Sequence, residues 1–174
     1  MKIEKQIHES PMKHRHPVNF YLVVTLAAML FIFIQSAFPA SVSNVESRSI
    51  VAVLAKILGV DRRSLTFLVR KSAHFIEYLI LGSCLMLLWD QWKLQKKQKP
   101  DNAYFAAYFP WLTGSLYAVS DEFHQRFVSG RSCELRDILI DSCGVAIGAF
   151  VIALLNRRRR PRRRKAWKTG RKRQ

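Results

Sequence analysis

Long apolar blocks separated by polar segments organise this chain. The first block, Val18 to Phe38, contains no charged residue. A helix of that length spans about 30 Å, the thickness of a bilayer hydrocarbon core. The block is too long for the apolar part of a signal peptide, and no small-residue cleavage site follows it cleanly. The pattern therefore predicts a retained transmembrane helix.

Three further apolar blocks predict three more membrane-spanning helices. The second block, His74 to Trp89, contains one acid, Glu77, and follows a polar stretch that extends it into a longer helix. The third block, Ala103 to Ser120, is uncharged, and the fourth, Ile138 to Leu155, contains one charge, Asp141. The predicted fold is all-α, an integral membrane bundle of four transmembrane helices.

A short extramembrane helix is predicted between the first two spans, within residues 39–73. Ser43 and Glu46 have the spacing of a capping box, and Gly59 fits a helix stop. Apolar positions in this helix favour an interfacial location, on the membrane surface or across the mouth of the bundle. An ordinary loop helix outside the membrane fits the same pattern.

The distribution of positive charge predicts the orientation. Of the 29 Lys and Arg residues, 20 lie before the first span, in the loop after the second span, or after Asn156. Because positive residues are retained in the cytoplasm, both termini are predicted to be cytoplasmic, and residues 39–73 and 121–137 external. The chain then divides into a basic cytoplasmic arm (1–17), a transmembrane domain (18–156) and a polybasic cytoplasmic tail (157–174).

The tail accounts for much of the net charge of +17. It is expected to be disordered and to lie beside anionic lipids. Trp167 is its only aromatic residue, so the interleaved stacking residues of a nucleic-acid arm are missing and no nucleic-acid partner is expected.

The three cysteines have no regular spacing, which excludes a disulfide-rich scaffold and a CxxC metal finger. The sequence leaves undecided whether Cys133 and Cys143 form a disulfide bond.

Ionisable residues cluster at the predicted outer ends of the last three spans. A charge in mid-bilayer costs about 2.5–3.5 kcal/mol, so such residues face protein or water. Helical spacing aligns them into one polar stripe per helix, and we expect the stripes to converge. Gly144 and Gly148 would let a neighbouring helix approach the fourth span closely. The candidate catalytic residues are His74, Glu77, Asp121 and His124, and the candidate binding residues are Lys71, Tyr78, Glu122, Gln125, Arg131, Asp137 and Asp141.

This set of side chains suits general acid–base chemistry, because it combines imidazoles with carboxylates. Arg131 follows a probable turn and is suited to clamp a phosphate or carboxylate. His74 with Glu77, and Asp121 with His124, are i, i+3 pairs of the kind that hold metals in helical bundles. Their order differs from the Glu-x-x-His of those bundles, so the sequence leaves both the metal and any cofactor undetermined.

Two functions remain open from the residues alone. The cluster is either a site that binds or acts on a lipid or cell-envelope component at the outer membrane face, or a structural network in a non-enzymatic envelope protein. A transporter is less favoured, because four spans without an inverted repeat are few for one chain.

Two segments of the chain resemble a known family. Residues 70–82, RKSAHFIEYLILG, and 120–148, SDEFHQRFVSGRSCELRDILIDSCGVAIG, are similar to the two signature blocks of the VanZ-like family of bacterial membrane proteins. All the candidate residues match these blocks by type, although members often have Pro-Gly-Arg where this chain has Ser129-Gly130-Arg131. The family is named after an accessory protein of glycopeptide-resistance clusters linked to teicoplanin tolerance. The resemblance therefore implies a protein of the bacterial cell membrane and envelope in the context of antibiotic tolerance, without implying a reaction.

Overall fold

The computed structural model describes residues 17–39, 51–57, 59, 61–96, 98 and 103–171, and in these ranges it contains helices and no strand. The described part of one helix, α2, covers residues 51–57. The predicted all-α class is confirmed. The other helices are α1 (Val18–Ala37), α3 (Arg62–Gln95), α4 (Ala103–Gln125) and α5 (Leu135–Arg171).

Three of the described helices contain a segment that is long and apolar enough to cross a membrane. These segments are Val18–Ala37, Ser64–Gln95 and Leu135–Arg157. Helix α4 has 23 residues and continues through the buried Pro110. It does not reach the same apolarity, because its sequence includes several hydroxyl-bearing residues and a proline. The chain therefore has the helices of a membrane protein.

Helix α1 turns a single face toward the other helices. Its buried residues are Thr25, Ile32 and Ser36, which are seven and four positions apart and so lie on one side of a helix. Most of its other side chains are exposed and apolar. Such a surface is suited to contact with lipid.

Helices α1 and α4 run in one direction, and α3 and α5 run in the other. The Tyr117 hydroxyl donates to the Met29 carbonyl over 2.6 Å, and the Ser36 hydroxyl donates to Asp121. Residue numbers therefore increase in the same direction along α1 and α4, so the two helices are parallel. The carboxyl ends of these two helices meet the amino-terminal halves of α3 and α5 at one end of the bundle, where the ionisable residues lie.

Two glycines let α5 pack tightly against α3, its largest contact surface. A Cβ atom on Gly144 would lie 2.7 Å from the carbonyl oxygen of Phe75, and one on Gly148 would meet the carbonyl group of Leu79. The close approach predicted from this glycine pair is confirmed.

The apolar core has two parts along the bundle. One lies beside the ionisable residues, and the other is built largely of alanines toward the opposite end, where Asn156 donates a hydrogen bond to Asp90 over 2.7 Å. The first part contains Ile32, Tyr78, Leu81, Ala118 and Val145, and the second contains Met86, Ala106, Ala107, Ala149 and Ala153.

The polybasic tail differs from its prediction. Helix α5 continues to Arg171, so the expected disorder is wrong as far as that residue. Arg, Lys and Ala are good helix formers. The apolar part of α5 already supplies the helical nucleus, so each added residue avoids the cost of nucleation.

The helix stop predicted at Gly59 is confirmed. Gly59 has a φ of 64°, and its N–H donates to the Ala55 carbonyl over 3.0 Å, as in a helix terminated by a left-handed glycine. The capping box proposed for Ser43 and Glu46 lies outside the described residues. Cys133 and Cys143 are both exposed and free.

Candidate functional site

Asp121 is the centre of a buried hydrogen-bond network. Its side chain lies at the end of α4 and is 2% exposed. The carboxylate accepts hydrogen bonds from Ser36 Oγ at 2.5 Å, Tyr78 OH at 3.2 Å and Gln125 Nε2 at 3.1 Å. One carboxylate thus connects α1, α3 and α4. Because three donors satisfy it, this carboxylate is well suited to hold helices together in a water-poor interior.

Arg131 connects the loop between α4 and α5 to the carboxyl end of α1. Its Nε donates to the Phe38 carbonyl at 3.1 Å and its Nη2 to the Gln35 carbonyl at 3.3 Å. Its Nη1 donates to Gln125 Oε1 at 3.1 Å. Three of the five N–H groups of the guanidinium therefore bind neutral oxygens, and no acid in the described part of the chain forms an ion pair with it.

Gln125 joins these two centres. Its carbonyl oxygen accepts from Arg131, and its amide nitrogen donates to Asp121. The side chain is buried. Gln125 therefore links the Arg131 guanidinium to the Asp121 network through two hydrogen bonds.

The acids Glu122, Asp137 and Asp141 lie on α4 and α5. Lys71 forms an ion pair with Asp137, which connects α3 to α5. Glu122, buried on α4, accepts a hydrogen bond from the Glu134 N–H at 3.1 Å. Asp141 is also buried, one helical turn beyond Asp137. The three polar stripes predicted on α3, α4 and α5 therefore lie at the same end of the bundle.

The two histidines have different surroundings. His74 Nδ1 lies 3.6 Å from Glu77 Oε2, too far for a hydrogen bond. Within the described residues, both of these buried atoms have no hydrogen-bond partner, and the same holds for His124 Nδ1. The His124 ring packs against Phe33 of α1, with the ring centroids 4.5 Å apart.

An open pocket lies beside this network. Its volume is about 140 Å³. Five of the candidate residues line it, whereas Glu77, Tyr78, Asp121, Glu122, His124 and Asp141 lie outside its lining. The lining residues are Phe67, Arg70, Lys71, His74, Gln125, Gly130, Arg131, Ser132, Glu134 and Asp137.

Three cations and two acids line the pocket, namely Arg70, Lys71 and Arg131 with Glu134 and Asp137. Burial lowers the pKa of Arg131, and the nearby Arg70 guanidinium lowers this pKa further, against the opposite effects of Asp121, Glu122 and Glu77. Arginine stays protonated all the same. Two guanidinium groups thus repel each other across the same small space.

Metal ligation has no support from the geometry. Within the described part of the chain, no three His, Cys, Asp or Glu side chains are grouped so that they could hold a metal ion. The i, i+3 pairs of the sequence therefore do not combine into one ligand set there.

Sequence reasoning missed the contribution of α1 to this site, and it counted Arg70 among the cations of the cluster without naming it as a candidate residue. Ser36 and the carbonyls of Gln35 and Phe38 bind Asp121 and Arg131. The signal for Ser36 was a polar pair, Gln-Ser, in the last turn of an otherwise apolar span. A backbone carbonyl leaves no such signal, because every residue has one.

The sequence model of the VanZ/LLP1 family matches residues 20–156. The chain belongs to the VanZ/LLP1 family. The matched range contains every candidate residue of the site and excludes both basic arms, so the polar end of the bundle lies within the VanZ/LLP1 domain. No curated protein and no solved structure matches the chain.

Proposed function

We propose that this VanZ/LLP1 protein crosses the bacterial membrane four times, with both termini in the cytoplasm and the pocket at the outer face. Support for a fourth span comes from α4, which packs alongside α3 and α5 and runs antiparallel to them. The 20 cationic residues at the other end favour the orientation. Val53 and Ile57 of α2 are 60% and 72% exposed, which favours an interfacial helix on the outer side.

At this outer face the pocket binds the polar part of a lipid or of a cell-envelope component. The observation that carries this proposal is the open pocket, which combines Arg70, Arg131 and His74 with the aromatic ring of Phe67. Phe67 and the adjacent Leu68 are about half exposed. A polar cavity next to apolar surface suits a ligand with a charged head and an apolar body.

Proton transfer to a bound ligand is the chemistry that these residues allow. His74 lines the pocket and Glu77 lies beside its Nδ1. A carboxylate on one side of an imidazole can orient the ring for acid or base catalysis on the other side. His74 is the residue expected to exchange the proton, with Glu77 as its positioning residue.

A mass comparison of lipid extracts tests this function. Cells with the protein, cells without it and cells with His74→Ala would be compared, together with the lipids that copurify with each form. We expect a lipid or envelope precursor to change in abundance or to copurify with the unchanged protein, and to be lost with His74→Ala. Identical extracts and identical copurified lipids in all three would refute it. The same strains would show whether tolerance to a glycopeptide such as teicoplanin depends on the site.

The second candidate is a non-enzymatic envelope protein with a structural polar network. The three bonds to Asp121 and the three from Arg131 favour it, since each set ties several segments together. Arg131→Lys separates the two, because lysine keeps the charge and loses the planar fork. Normal accumulation with loss of phenotype supports a site, and loss of the protein from the membrane supports a network.

A further inference from the structure

The cations of the pocket differ in what they already bind. Lys71 is paired with Asp137. Arg131 binds two carbonyl groups and an amide oxygen, all of them neutral. Arg70 is half-buried in the lining, and among the described residues no oxygen accepts a hydrogen bond from its guanidinium. The pocket therefore holds two guanidinium groups whose charges no ion pair in the described chain neutralises.

A purely structural network would not leave this arrangement. Two like charges at one small cavity repel each other, and the cost grows as water is removed. An anion between Arg70 and Arg131 would remove this repulsion.

We propose that Arg70 and Arg131 together bind a phosphate group carried by a lipid. This inference rests on the proposed lipid-binding function and names the chemical group that is recognised. A phosphate has enough acceptor oxygens to take a pair of N–H bonds from one guanidinium and further bonds from a second. A single carboxylate has only two oxygens to share between them.

The surroundings of the two arginines favour a lipid as the source of the phosphate. Phe67 lies in the same lining and is 47% exposed, and Leu68 next to it is 57% exposed. These two side chains offer the apolar part of a lipid a surface next to the guanidinium groups. A free phosphate ion would gain nothing from these apolar side chains.

Native mass spectrometry of the full chain in detergent micelles tests this proposal. The probes are phosphatidic acid, diacylglycerol with the same acyl chains, and inorganic phosphate. We expect phosphatidic acid to bind, and the other two to bind at least about tenfold more weakly, as expected when charged hydrogen bonds or apolar contacts are lost. Binding of inorganic phosphate as tight as that of phosphatidic acid would overturn the lipid source.

Variants of Arg70 give the second part of the test. Arg70→Gln should weaken the binding of phosphatidic acid at least about tenfold. Arg70→Lys should weaken this binding by less, because lysine keeps the positive charge and loses only the planar fork. Arg126→Gln is the matched control, because Arg126 is an exposed cation in the same loop region outside the pocket lining. It should leave binding unchanged. Equal effects of Arg70→Gln and Arg126→Gln would mean general charge attraction and would overturn the clamp.

The outcomes separate this inference from the function on which it rests. If diacylglycerol and phosphatidic acid bind equally, and His74→Ala weakens both, the pocket is a lipid site that does not recognise phosphate. If neither lipid binds and the lipid extracts are also unchanged, both proposals fail.

Discussion

The ammonium group of Lys71 and the carboxylate of Asp137 form an ion pair that joins α3 to α5 at the edge of the pocket. The pair neutralises the charge of Lys71, which follows Arg70 in the sequence. The two neighbours therefore have different roles, since Lys71 holds a helix and Arg70 remains available to a ligand.

Breaking the Lys71–Asp137 pair should cost stability. Asp137→Asn keeps the shape of the side chain and leaves a half-buried ammonium group without a counter-charge, which is expected to cost about 1–3 kcal/mol. Thermal unfolding in detergent measures the loss. The double variant Lys71→Met with Asp137→Asn should recover part of it, because neither side then holds an unpaired charge. A double variant less stable than Asp137→Asn alone would contradict this account.

The Asp121 network should be sensitive to a change of charge. Asp121→Asn replaces one acceptor oxygen by a donor NH₂ group facing donors from Ser36, Tyr78 and Gln125. We expect a loss of about 1–3 kcal/mol. Tyr78→Phe removes only one donor and should cost about 1 kcal/mol.

Ser120→Ala serves as the control for this series in the same unfolding experiment. Ser120 is exposed, and its hydroxyl donates to the carbonyl of Tyr117 in its own helix and to no other group among the described residues. Its removal should be nearly neutral. An Asp121→Asn protein as stable as Ser120→Ala would show that the network does not hold the helices together.

The contact between α3 and α5 should not tolerate a methyl group at Gly148. A Cβ atom there meets the Leu79 carbonyl group and lies 3.0 Å from Ser83 Oγ, so the helices would have to separate. Overpacking of this kind costs about 1–3 kcal/mol. The amount of folded protein after solubilisation should fall for Gly148→Ala and stay unchanged for Cys143→Ala, an exposed position on the same helix. Equal yields would contradict the tight contact.

The proposed orientation is tested with reporter fusions. Reporters placed after Gln174 and within residues 93–99 should read as cytoplasmic, and reporters near Ser43 and Ser129 as external, because most positive residues lie on the first side. An external carboxyl terminus would move the pocket to the cytoplasmic face and would exclude a ligand from the outer leaflet.

The basic end of the chain should be separable from the bundle. Truncation after Arg160 keeps several of the positive residues that fix the last span and removes a segment without apolar periodicity. We expect membrane insertion and thermal stability to stay unchanged, as measured by fractionation and unfolding. Degradation of the truncated chain would show that this end packs on the bundle.

The sequence predicted the parts of the fold that depend on periodicity. The uncharged run beginning at Val18 predicted a long helix, because the length of an apolar run is a local property of the sequence. The Gly144–Gly148 pair predicted a close helix contact, because the size of a side chain is local in the same way. Helical spacing also indicated that residues such as Lys71 and Asp137 share one end of the bundle. Periodicity alone does not give the rotation of one helix relative to another, so the separation of His124 from the pocket lining was not predictable.

The rest of the site depends on partners that carry little sequence signal. Arg131 was predicted to clamp an anion, which stays a prediction, but its bonds to the carbonyl groups of Gln35 and Phe38 had no signal in the sequence. Arg70 was noticed only as one more cation, since its importance comes from the absence of a described partner. The helical tail was missed for another reason: high charge was weighed above the helix propensity of its Arg and Lys residues.

Helix α5 runs without a break for 37 residues, which makes it a rod about 55 Å long at the usual helical rise. That length exceeds the hydrocarbon thickness of a bilayer by roughly 25 Å. Asp137, which lies near one end, and the first basic residues after Asn156 belong to this one helix and both precede Pro161, the residue at which a helix is most easily bent. A tilt of the helix that displaces Asp137 therefore also moves these first positive charges, so a change at the pocket is transmitted to the opposite end of the bundle, where Asn156 binds Asp90.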